Sequence, residues 1–271
     1  MSSTSRSSSR GAPPRSWLLA AAALLPLVAA GWWLSVGRMD GMDAGPGTSL
    51  GTFGWFAATW VVMMAAMMVP AITPAVASSF PAASRQNLHR TLAAAGFVVG
   101  YVVVWALAGA AAYAVLRAGR SLVGGTFAWH RAGQWLSVAL VAGAAAYQLS
   151  PTKGRWLARC RAEFIGSAAG LLDGARSGLT AGGRCLASSG ALMVVLFALG
   201  AMSLVWMAVV AVLIALERLA PLTWPARIAA AGVLLTIALG VALAPGSVPG
   251  LTVPGSPAAQ QAMMQMGGMT P

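Results

Sequence analysis

Long apolar runs, separated by short links that hold most of the charge, give the chain its pattern. The runs are Trp17 to Val36, Phe53 to about Ile72, Leu92 to Leu116, Ala132 to Leu149, Leu186 to Leu216 and Ile228 to Ala244. About 20 residues of helix, rising about 1.5 Å each, cross a hydrocarbon core of about 30 Å. The predicted fold class is all-α, a polytopic transmembrane helix bundle of six hydrophobic spans. Leu186 to Leu216 is free of charge over 31 residues, more than one untilted span needs.

A seventh element has a different pattern. Gly166, Gly170, Gly174, Gly178 and Gly182 recur at every fourth position, which on a helix makes a slowly drifting stripe of bare backbone. Such a stripe invites close packing against another helix, and Gly96 and Gly100 in the third run have the same spacing. This glycine-striped helix is a seventh span if it crosses; dipping in partway or lying along the surface are the alternatives. Asp173 and Arg176 lie in it, three apart, and Asp173 is the candidate for an intramembrane carboxylate.

Domain organisation follows from the same pattern. Residues 1–16 are a basic, Ser- and Arg-rich segment expected to be disordered, 17–244 form the transmembrane helical domain, and 245–271 are a disordered tail rich in Pro, Gly and Met. Arg6, Arg10 and Arg15 before an apolar run also resemble a signal peptide. That run is overlong and interrupted by Pro26, so an uncleaved span is expected.

Composition then narrows the class. Hydrophobic residues make up 58% and charged ones only 8% of 271 residues, against roughly 25% charged in soluble domains. The net charge of +12 would raise nucleic acid as a partner of a soluble protein. Here Lys and Arg sit in links, where they set topology and meet anionic lipid headgroups, so the bilayer is the partner and nucleic acid is not. With six spans and the amino end in the cytoplasm, inner segments hold 11 of the 17 basic residues, which places the protein in the cell membrane in that orientation. Counting the glycine-striped helix as a crossing fits the rule equally well and moves the tail to the outer side. The cluster Lys153, Arg155, Arg159 and Arg161 is the strongest cytoplasmic signal.

Chemistry concentrates in sulfur. Met63, Met64, Met67 and Met68 form two i,i+4 pairs on the second run, and Pro70 and Pro74 end or kink it. Beyond Met1, every methionine falls in one of four places: Met39 and Met42 in the first loop, this quartet, Met193, Met202 and Met207 in the long apolar segment, and Met263, Met264, Met266 and Met269 in the tail. Neutral, polarisable thioethers suit Cu(I) and offer little to hard cations. The competing reading is that methionine fills gaps in an apolar core. Cys160 and Cys185 flank the glycine helix and meet only if the fold brings its ends together; a thiolate at Cys185 would add a strong soft ligand. His89 and His130 stand beside arginines in different links, as interfacial residues do. No hydrolase, protease or phosphate-binding motif is present, and an enzyme is not expected.

Three stretches together carry a family resemblance. They are Trp60-x-x-Met63-x-x-Ala66-Met67-Met68-x-Pro70-x-x-x-Pro74; Tyr147-Gln148-Leu149-x-Pro151-x-Lys153 running to Cys160-Arg161; and Gly183-x-Cys185-Leu186 leading to Ala191-Leu192-Met193, Gly200-x-Met202, Trp206-Met207 and Glu217. Over roughly residues 50 to 243 the chain resembles the DUF2182 family of metal-binding integral membrane proteins, sometimes labelled copper chaperones. The resemblance implies a metal link. The chain departs from the family pattern where Trp156 replaces a cysteine and Ser188-Ser189-Gly190 replaces Cys-Cys-Trp, which leaves a site dominated by thioethers.

The expected function is Cu(I) binding for copper handling or delivery. The ligands are Met63, Met64, Met67, Met68, Cys185, Met193, Met202 and Met207, with Met39, Met42, Cys160, Met263, Met264, Met266 and Met269 as weaker collectors. Partners are then a copper donor or acceptor protein. Two other classes stay open: a structural or assembly subunit of a membrane complex without metal, and a transporter of a small solute or metal.

Overall fold

The two glycine patterns find each other. In the computed structural model, Gly174 and Gly178 of one helix lie against the backbone at Ala93 and Phe97 of another, and Gly96 and Gly100 return the contact at Leu171 and Ala175. A methyl group at any of the four would overlap a backbone carbonyl, so only glycine permits this approach. Gly182 continues the seam onto Tyr101 and Val104. Both chains advance in the same direction along it, so the two helices are parallel.

The structure describes residues 25–26, 28–37, 46, 51–77, 88–123, 132–161, 170–200, 203–219, 223–257, 259–261 and 264. Their helices are α1 (Val28–Gly37), α2 (Phe53–Ala77), α3 (Leu88–Val123), α4 (Gln134–Leu149), α5 (Pro151–Arg161), α6 (Leu171–Leu199), α7 (Leu204–Leu219) and α8 (Thr223–Leu243). The described residues are helical with no strand, as the apolar runs predict. Three helical stretches are long and apolar enough to cross a membrane: Thr91–Gly119, Leu171–Leu199 and Thr223–Leu243. The basic segment 1–16 and His130 lie outside the described residues.

One stretch is divided differently from the expectation. Gly174, Gly178 and Gly182 of the stripe and the first half of the long apolar segment lie in a single helix, α6, and the chain breaks at Gly200 before α7 returns; Gly166 lies outside the described residues. Gly200 has φ +133°, a conformation that favours a residue without Cβ, and its N–H caps the Leu196 carbonyl. Asp173 and Arg176 are both exposed near the start of α6.

Contacts sort the helix termini into two ends of the bundle. At one, Tyr113 donates to the Gly51 carbonyl, Ser137 to the Ala198 carbonyl and Gln134 to the Val241 carbonyl. At the other, α5 meets the end of α7, and Arg227 near the start of α8 donates to the Gln148 and Ser150 carbonyls at the end of α4. Arg218 and Arg227 therefore share an end with Lys153 and Arg161. With six spans those two pairs fall on opposite sides of the membrane; with α6 as a crossing of its own they fall on one side.

Candidate soft-metal site

The register of the glycine seam decides what faces Cys185. Tyr101 is one turn beyond Phe97 on α3, and its hydroxyl donates to Cys185 Sγ at 3.0 Å. Ser189, one turn beyond Cys185 on α6, lies 3.6 Å from the same sulfur. From α7, Arg218 extends its planar fork: Nη1 donates to Cys160 Sγ at 2.8 Å and Nη2 to Cys185 Sγ at 2.8 Å. Cys160, at the end of α5, is thereby brought to the same guanidinium as Cys185. Both are free and buried. A guanidinium has donors and no acceptor, so each sulfur takes the acceptor role toward it. The neighbouring Cys185 and burial push the Cys160 thiol well above its ordinary range.

A buried ion pair supports this arrangement from below. Lys153 Nζ is 2.7 Å from Glu217 Oε2, with both side chains almost fully inaccessible. Burial lowers the Lys153 pKa, and Glu217 opposes that shift. Arg161 donates to the Glu217 carbonyl, and Tyr147 to the Ala187 carbonyl on α6. α5 is thus held against the end of α7 by contacts from both sides of Cys160. Lys153, read from sequence as a topology marker, is a core residue, and among the described residues the buried carboxylate is Glu217 rather than Asp173.

The methionines lie in the same core. Met63, Met64, Met67, Met68, Met193 and Met207 are each at most 4% exposed and belong to one cluster with Cys160 and Cys185. Met64 lines a small cleft with Tyr101 and Trp105. The start of α2 is anchored by Trp60, whose indole N–H donates to the Trp105 carbonyl and whose ring stacks on Phe197. Met264 is exposed, and Met39, Met42, Met202, Met263, Met266 and Met269 lie outside the described residues. Among the described residues no three His, Cys, Asp or Glu side chains converge as a metal site. What the fold gathers here is two thiols with thioethers in the surrounding core, all soft sulfur atoms.

Residues 57–243 match the PpoB2 family model, described as a copper chaperone. The chain belongs to this copper chaperone family. No similar curated protein and no similar solved structure is found. Membership supports copper handling in general, copper-related protein partners and a non-catalytic role, in agreement with the copper side of the sequence resemblance.

Arg218 and Tyr101 were not among the expected site residues, and Cys160 was only a weaker collector. Arg218 stands with Glu217 just past the end of an apolar run, where charge reads as a membrane boundary. Tyr101 carried a faint signal: a hydroxyl deep in an apolar run, one residue past Gly100. Ser188 and Ser189 back-bond to the Cys185 carbonyl, and Ser189 Oγ lies beside Cys185 Sγ. Trp156 lies beside Arg159, its ring 5.1 Å from the guanidinium.

Proposed function

We propose that the protein is a multi-pass membrane copper chaperone that carries Cu(I) on Cys160 and Cys185. The observation that carries this reading is the convergence of two cysteines 25 positions apart on one guanidinium. Two thiols make a soft, compact donor pair, the kind that selects Cu(I). Met63, Met64, Met67, Met68, Met193 and Met207 supply weaker thioether donors in the adjoining core, a store from which the ion exchanges readily.

The bundle crosses the membrane with α6 and α7 as separate passes and with the amino end in the cytoplasm. The basic cluster of α5, the thiol pair and Arg218 then lie toward the cytoplasmic face, and the Met263 to Met269 tail emerges on the side of Met39 and Met42. Gly250 supports that placement, since it packs on Val205 at the start of α7. Methionines on the outer side would collect the ion, and the thiol pair would present it to an acceptor protein inside.

The test is Cu(I) binding by the detergent-purified full chain, read by mass spectrometry and by competition with a chromophoric Cu(I) chelator. One tightly held Cu(I) per chain is expected, and Zn²⁺ is not retained. The double variant Cys160→Ser, Cys185→Ser should lose the ion; equal affinity in that variant would end the proposal.

A further inference from the structure

We infer that Arg218 sets the charge the thiol pair accepts, selecting a monovalent soft ion over a divalent one. This rests on the reading of Cys160 and Cys185 as the copper ligands. Arg218 is a permanent cation, and each arm of its fork is 2.8 Å from one of the two sulfurs. The nearest carboxylate in sequence, Glu217, is paired with Lys153 and does not offset it. Arg161 donates to the Glu217 carbonyl and Arg227 to the Gln148 carbonyl, while Arg218 donates to both sulfurs.

Charge counting then gives the selectivity. Metal ligation by thiols requires both as thiolates. Two thiolates with a monovalent ion carry one negative charge, which Arg218 cancels. Two thiolates with a divalent ion are already neutral, and Arg218 leaves one positive charge without a partner. Both sulfurs are buried in the apolar core, where an uncompensated charge is costly. Softness alone does not exclude divalent Cd²⁺ or Hg²⁺, which thiolates also bind. The guanidinium does.

The probes are Ag(I), a monovalent soft ion that undergoes no redox change, and Cd(II), a divalent soft ion. Each is titrated by competition into the detergent-purified full chain in chloride-free buffer. The wild type should prefer Ag(I). Arg218→Gln should lower the ratio of Ag(I) to Cd(II) affinity by at least about tenfold, since the negative charge of the monovalent complex loses its partner. Arg218→Lys keeps the charge and should keep the wild-type preference. Ser188→Asp places a carboxylate beside Nη2, which is 3.5 Å from Ser188 Oγ, and should shift the ratio as Arg218→Gln does while keeping the fork. It provides the same reading if Arg218→Gln does not fold. An unchanged Ag(I) to Cd(II) ratio in these two variants, with Cu(I) still bound by the wild type, overturns the role of Arg218 and leaves the copper reading standing. A wild type that takes up neither Cu(I) nor Ag(I) overturns the copper reading and this inference with it.

Discussion

Lys153 and Glu217, 64 positions apart, form an ion pair at 2.7 Å with side chains 0% and 2% exposed. The pair fixes α5 against the end of α7 and so places Cys160 in reach of Arg218. Removing one partner leaves a buried charge unpaired, which costs about 3–5 kcal/mol. Lys153→Met should therefore lower the thermal midpoint of the detergent-solubilised protein markedly. The double variant Lys153→Met, Glu217→Leu should recover most of the loss. A single variant as stable as the wild type would show that the pair is not a structural clamp.

The α3 and α6 seam makes a second prediction. Gly178 faces the Phe97 backbone so closely that a Cβ has no room, and the neighbour is a carbonyl rather than a flexible side chain. Gly178→Val should cost at least the roughly 1–3 kcal/mol typical of overpacking and separate the helices. Gly183, where an added Cβ meets nothing nearby, is the control. Size-exclusion profiles of Gly178→Val and Gly183→Ala should differ, the first aggregating and the second running as the wild type.

Arg227 closes the end of α4. It donates from Nε to the Gln148 carbonyl at 2.7 Å and from Nη2 to the Ser150 carbonyl. A cation at a helix C-terminus also complements the macrodipole. Arg227→Met keeps the length of the side chain and removes the charge-assisted bonds, worth about 1.5–3 kcal/mol each. The expected result is a lower thermal midpoint with Cu(I) affinity within a few-fold of the wild type. An unshifted midpoint would assign Arg227 no part in holding α4 to α8.

The methionine quartet separates packing from ligation. Met67→Leu, Met68→Leu is close to volume-conserving and should cost less than about 1.5 kcal/mol in stability. If the thioethers act with the thiol pair, Cu(I) affinity falls about tenfold, the step of roughly 1.4 kcal/mol that one weak ligand gives. Unchanged affinity would assign the quartet to packing alone. The comparison with Cys160→Ser, Cys185→Ser, expected to abolish binding, ranks the two donor sets.

Local content was legible from the residues alone. The length and apolar character of the runs set an all-helical fold, because a buried backbone must satisfy its own hydrogen bonds. Glycine spacing showed which helix faces approach closely, and it did so on both α3 and α6, since a four-residue period is a property of one helix. The concentration of sulfur in a few stretches pointed to a soft metal. Only the tertiary structure decided which residues meet. The parallel register of α3 on α6 sets Tyr101 against Cys185, 84 positions away, and the return of α7 brings Arg218 to both thiols. No local pattern records such pairings, because a charge at the end of an apolar run looks the same whether it faces water or a buried partner. Lys153 and Arg218 were legible as boundaries for that reason, and only packing turned them into the clamp and the counter-charge of the site.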